Sequence, residues 1–138
     1  MIARILREAA ALLAFALLPA FISGAVQLKW RGAEPLAKDE VTLATIESWN
    51  RPVQWVDARP RAKFEKQHIA DAVLLNEDEW NALVPAFLDA WEPGRPIIVY
   101  CDGGACDASH AVAKRLREEL QLGGVWVLKG GWDAWQRK

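Results

Sequence analysis

Ile97-Ile98-Val99-Tyr100-Cys101-Asp102-Gly103-Gly104-Ala105-Cys106-Asp107-Ala108-Ser109-His110 is the stretch on which the reading of this 138-residue chain turns. Its first four residues are β-favouring and show no polar alternation, which suits a strand buried on both faces, as in a parallel sheet covered by helices. Beyond the loop, Ala108, Val112, Leu116 and Leu120 recur every fourth position and, with Ala111, make an apolar helical stripe. Lys114, Arg115, Arg117, Glu118 and Glu119 fall mainly on the other sides. Asp107 is placed to cap this helix, and Gly123-Gly124 to end it. In open sheets, ligands bind beyond the carboxyl ends of the strands, and the loop starting at Cys101 stands there.

The same alternation extends outward from this unit. Val41 to Leu43 is a β-prone patch, followed by a short helix through Ile46 and Trp49. Val53 to Val56 reads as a strand ending at Asp57, and Ala72 to Leu75 as another. Trp80, Leu83, Val84, Phe87, Leu88 and Trp91 fall at helical spacing, with Pro85 predicting a kink or two short helices. Glu92 to Pro96 is a loop; Val125 to Leu128 is the last strand, and Gly130-Gly131 turns into a helix holding Trp132 and Trp135. The expected class is α/β: an open, mostly parallel sheet with helices on both faces.

The chain is 52% hydrophobic and 25% charged with a formal net charge of −1, which argues for one folded domain and against disorder or a nucleic-acid partner. Its eight tryptophans share no period, so they read as core bodies rather than a binding stripe. The N-terminus differs. Ala9 to Leu28 is a run of 20 positions without a charge, about the length that spans a ~30 Å hydrocarbon layer. Arg4 and Arg7 precede it; Lys29, Trp30 and Arg31 follow. The expected division is therefore 1–33, a transmembrane helix and its flanks, and 34–138, the globular domain. The alternative for the first segment is a signal peptide cleaved near Ser23-Gly24-Ala25. A short N-terminal tail with two arginines places the domain on the extracytoplasmic side, with a cytoplasmic-facing domain as the other orientation.

Chemistry centres on Cys101. Asp102-Gly103-Gly104-Ala105 is small enough to curl around a sulfur atom, and backbone N–H groups backed by a helix amino end make an anion nest that favours thiolate. A thiolate attacking a sulfane sulfur yields a persulfide, and passing it on completes a covalent transfer. Asp102 and Asp107 would repel an anionic donor. Cys106 is a second thiol in the same loop: a resolving partner, a disulfide partner or a passive neighbour. A zinc site is not implied, since only His110 lies nearby. His68 reads as a turn-fixing residue, His110 as a solvent-facing helix residue that is close enough to face the pocket as a proton donor in the alternative, and Asp57 as an organiser bonding Arg59 or the Cys101 loop.

Several ordered motifs resemble the rhodanese family. Val56-Asp57-Ala58-Arg59 resembles its Asp-x-Arg signature, and His68-Ile69-Ala70-Asp71-Ala72 its His-Ile-x-Gly-Ala segment. Ile98-Val99-Tyr100-Cys101 is similar to the strand that delivers the family's catalytic cysteine, Ser109 to the hydroxyl residue of the next helix, and Val127 to Trp135 to the closing Gly-Gly…Trp motif. The likeness spans roughly residues 40–136. It implies a rhodanese fold and sulfur transfer through Cys101, with residues 102–109 (Asp102, Gly103, Gly104, Ala105, Cys106, Asp107, Ala108, Ser109) as the substrate loop and Asp57, Arg59 and His110 in support. There are departures. The family's loop runs Cys-x-x-Gly-x-Arg before the hydroxyl residue; here the loop is two residues longer and Ala108 stands at the arginine's place. That predicts weaker binding of a dianion and argues against phosphatase or arsenate-reductase chemistry. Asp71 replaces a glycine.

The expectation is a membrane-tethered sulfurtransferase or persulfide carrier, without metal or organic cofactor, serving a small sulfur donor and a thiol acceptor. Residues 9–28 contact the bilayer, and a membrane protein is a candidate partner. Two alternatives stand beside it: a catalytically silent rhodanese-type binding module, and a thiol–disulfide protein using Cys101 and Cys106.

Overall fold

A computed structural model describes residues 35–104 and 106–138. The expected membrane helix over Ala9 to Leu28 lies outside the described residues; among those described, no helix is long and apolar enough to cross a membrane. Leu36–Lys138 forms one compact unit.

The elements run β1 (Glu40–Val41), α1 (Leu43–Ser48), β2 (Gln54–Asp57), α2 (Arg61–Lys66), β3 (Val73–Leu74), α3 (Trp80–Ala90), β4 (Ile97–Tyr100), α4 (Asp107–Glu118), β5 (Val125–Leu128) and α5 (Gly131–Gln136). All strand pairs are parallel, in the order β1-β5-β4-β2-β3. β4 is central, and its lack of polar alternation has a direct cause. Ile97 and Val99 enter one core with Val56, Phe87, Val112 and Leu116, under α3 and α4. Ile98 and Tyr100 enter the other, with Ile46, Ile69, Leu128 and Trp132, against α1 and α5. Each such fully buried side chain contributes about 1.5–3 kcal/mol. Leaving β2 the chain steps outward to β3; leaving β4 it steps the other way to β5. The loops at the carboxyl ends of β2 and β4 therefore diverge and leave a crevice between them.

Four local expectations are corrected. α3 is one helix with Pro85 inside it, so of the two alternatives, a kink or two short helices, the second does not hold. Pro85 and Asn81, whose carbonyl loses its i+4 donor, are both exposed, so water can satisfy the freed oxygen. Asp107 is the first residue of α4 rather than its cap; Cys106 holds the cap position. The buried stripe of α4 is Ser109, Val112, Ala113 and Leu116, displaced from the Ala108–Ala111 side, because the serine turns inward to the loop. α4 ends at Glu118, ahead of the glycines: Gln121 takes φ 55°, and Leu122 N–H returns 3.1 Å to the Leu116 carbonyl. Asp71, at the family's glycine position, also adopts a left-handed conformation (φ 62°).

Candidate functional site

Three loops at the carboxyl edge of the sheet build the site. The first follows β2. Asp57 is fully buried, and its carboxylate accepts from the Arg59 backbone N–H at 2.9 Å and from Arg59 Nη2 at 2.6 Å. Arg59, 3% exposed, also donates to the Gln67 carbonyl (2.8 Å) and lies with its guanidinium 4.5 Å over the Trp132 ring and 5.4 Å over Tyr100. Burial alone would weaken the guanidinium's hold on its proton, but the Asp57 carboxylate more than offsets this and raises its pKa. Tyr100 is held protonated chiefly by burial; its hydroxyl accepts from Ile69 N–H at 3.2 Å and so ties β4 to the segment before β3.

The second loop follows β4. Cys101 is 4% exposed. Its Sγ lies 3.3 Å from Ser109 Oγ and 3.7 Å from the Cys106 carbonyl, which puts the sulfur against the first turn of α4. Cys101 and Cys106 are joined in a disulfide, their Cα atoms 6.5 Å apart. The third loop, after β5, holds the second in place: Trp132 N–H donates to the Cys101 carbonyl (2.7 Å) and Asp133 N–H to the Asp102 carbonyl (2.8 Å). Gly131 (φ 50°) is required there, since a Cβ would collide with the Cys101 carbonyl oxygen. A Cβ on Gly103 would likewise strike the Asp133 carboxylate.

Of the expected site residues, Cys101, Asp102, Gly103, Cys106 and Ser109 are brought together, with Asp57 and Arg59 organising the floor. Gly104 is exposed, and Ala105 lies outside the described residues. Asp57 serves Arg59 rather than the Cys101 loop amides. The expected repulsion by Asp102 is met within the site, since its carboxylate pairs with Lys63 Nζ at 2.6 Å and faces Arg59 Nη1 at 3.9 Å. Asp107 and Ala108 sit in the first turn of α4, Asp107 exposed. Of the two readings of His110 the pocket-facing one does not hold: its side chain is partly exposed, with ring nitrogens 3.6 Å from Asp39 and 3.7 Å from Glu40, on the β1 side. His68 fixes its turn through Nδ1 to the Phe64 carbonyl (2.8 Å) and stacks on the Phe64 ring.

Sequence reasoning missed Lys63, Lys66 and the platform role of Trp132. With Arg59, Gln67, Asp102 and Gln136 they line a hollow of about 270 Å³ beside the loop. The available signal was Lys63 and Lys66, three positions apart on α2, directly after Arg59. A wider hollow, about 690 Å³, lies between α1 and α5 near Pro52 and Trp135, away from both cysteines. Among the described residues, no three His, Cys, Asp or Glu side chains gather as metal ligands.

A parallel sheet covered on both faces, with a cysteine-bearing loop at the carboxyl edge of its central strand, defines the class as an open parallel α/β protein with its loops at the crevice. Residues 42–138 match the rhodanese-like domain model, and the chain belongs to that family. Solved structures carry the same fold. A Bacillus halodurans protein is 21% identical with a TM-score of 0.59, over 86% of this chain and 81% of its own. A rhodanese-related protein from Thermoplasma volcanium is 18% identical with a TM-score of 0.55, over 71% and 90%. A Rhodopseudomonas palustris protein of unknown function, titled a possible tyrosine phosphatase, is 18% identical with a TM-score of 0.52, over 77% and 96%. Comparison with the curated proteins finds no match.

Proposed function

We propose that this rhodanese-like domain is a sulfurtransferase or persulfide carrier working through Cys101. The single observation that carries the reading is the placement of Cys101 Sγ: buried, at the amino end of α4, 3.3 Å from a hydroxyl that can donate to a thiolate. With the disulfide opened, the Cys101 thiolate attacks the outer sulfur of a donor. A bond forms from Sγ to that sulfur, and the donor's S–S bond breaks with its electron pair leaving on the remainder, sulfite in the case of thiosulfate. An acceptor thiolate then attacks the terminal sulfur of the persulfide, which returns Cys101 to the thiolate. Beside the loop Arg59 is paired with Asp57 and Lys63 with Asp102, and Lys66 adds a further cation, so the hollow carries a net positive charge that suits an anionic donor.

The test is sulfur transfer from thiosulfate and from glutathione persulfide to a thiol acceptor. Wild type is expected to turn over, and Cys101→Ser to fall by at least about a thousandfold, the scale of losing a covalent nucleophile. Undiminished transfer by Cys101→Ser ends the proposal; absence of transfer by wild type points to a silent binding module. We further propose that the domain is tethered through residues 9–28 and faces the extracytoplasmic side. A reporter active only outside the cytoplasm, fused after Lys138, is expected to work; silence there reverses the orientation.

A further inference from the structure

We infer that Cys106 is the resolving thiol of the Cys101 persulfide, so that the domain releases the transferred sulfur as sulfide and closes to its own disulfide. The inference rests on the Cys101 persulfide proposed above and adds a second fate beside hand-over to an acceptor thiolate, the one taken when no acceptor is present. Two observations carry it. The sulfur atoms of Cys101 and Cys106 meet within the loop, with Cα atoms 6.5 Å apart. Their surroundings are unequal: Cys101 is buried, whereas Cys106 is half-buried at the cap position of α4.

The step balances without an added oxidant. The Cys106 sulfur attacks Cys101 Sγ, an Sγ–Sγ bond forms, and the bond from Cys101 Sγ to the sulfane sulfur breaks. The outer sulfur leaves with the electron pair and takes up the Cys106 proton as hydrosulfide. The two thiols are oxidised to a disulfide, and the sulfane sulfur is reduced by the same two electrons. An intramolecular thiol already in contact has an advantage over one arriving from solution at a buried sulfur. The asymmetry also orders the return. An external dithiol reaches the more accessible Cys106 sulfur, and Cys101 leaves as a thiolate facing Ser109 Oγ at 3.3 Å. The second thiol of the reductant then frees Cys106. The domain thereby couples sulfane-sulfur reduction to oxidation of a dithiol, and the reaction that supplies that dithiol is a disulfide reduction.

The experiment is a single loading of the reduced full-length protein, without air or added thiol, using whichever of thiosulfate or glutathione persulfide charges Cys106→Ser. Sulfide is assayed and intact mass is recorded. Wild type is expected to release one sulfide per chain and to finish two hydrogens lighter, as the disulfide. Cys106→Ser and Cys106→Ala are expected to finish one sulfur atom heavier and to release at least about tenfold less sulfide, the minimum advantage of an intramolecular attack. Equal release by these variants, or a persulfide that persists in wild type, overturns the resolving role while the Cys101 persulfide stands. If neither donor loads wild type or variant, with circular dichroism unchanged, the persulfide reading and the resolving role fall together.

Discussion

Arg59 shows how one residue can carry both a buried charge and packing. Its charge is taken out of water, which is tolerable only because Asp57 lies beside it, accepting from Nε at Oδ1 and from Nη2 at Oδ2, and two aromatic faces, Trp132 and Tyr100, cover the guanidinium. Those rings belong to the elements that present the cysteine loop: Tyr100 precedes Cys101, and Trp132 N–H holds the Cys101 carbonyl. Replacing Arg59 by leucine keeps some of the packing but leaves Asp57 buried without its cation. The expected loss is about 3–5 kcal/mol, read as a fall in the urea midpoint at unchanged slope. The Asp57→Asn, Arg59→Leu double variant is expected to recover part of it, because the stranded charge is gone. A loss under about 1 kcal/mol for Arg59→Leu, the range of exposed pairs, would show that the pair is solvated and not a structural part of the site.

At the scale of elements, what the sequence disclosed followed from periodicity, and what it hid followed from contacts between distant segments. The buried run Ile97 to Tyr100 is legible because both faces of β4 are covered, so every position is apolar. α4 is legible from its four-residue spacing, yet its buried face is set by Ser109 turning toward Cys101, a polar residue that an apolar pattern skips. Pro85 does not split α3 into two helices, because Asn81, whose carbonyl it frees, is exposed to water. Cys101 and its loop could be placed by their position after a strand. The cations beside them could not, because Lys63 reaches Asp102 across 39 residues of chain, and nothing in the local sequence of either announces the partner. The partners of His110 were hidden for the same reason. Its helix position allowed the pocket, but the carboxylates of Asp39 and Glu40, some 70 residues earlier, draw the ring to the β1 side.

Those two carboxylates matter to the whole molecule, because β1 is a two-residue strand at the end of the sheet order and, among the described residues, pairs only with β5. Its backbone contribution is small: Val127 N–H to the Asp39 carbonyl and Lys129 N–H to the Val41 carbonyl, each 2.9 Å. The side chains add a second attachment. Asp39 meets Arg117 at 3.1 Å and Glu40 meets Lys129 at 3.2 Å, with His110 facing both. Burial works to raise both carboxyl pKa values. For Asp39, Arg117 outweighs it; for Glu40, the Ala37 amide and Lys129 do, so both end below their ordinary 3.8 and 4.5. A carboxyl whose pKa is lower in the folded chain lets the unfolded chain take up protons first as pH falls. The stabilisation is therefore complete above about pH 4.5 and is lost progressively as pH drops through 3.8 and below. The Asp39→Asn, Glu40→Gln double variant is expected to be less stable than wild type at pH 7 and to lose less between pH 5 and 3. The two stability curves should converge at the acid end, because wild type there carries the same neutral groups. Urea unfolding across that range checks it: parallel curves, separated equally at pH 7 and pH 3, would show that the ion pairs contribute nothing and that β1 is held by its backbone and by Val41 alone.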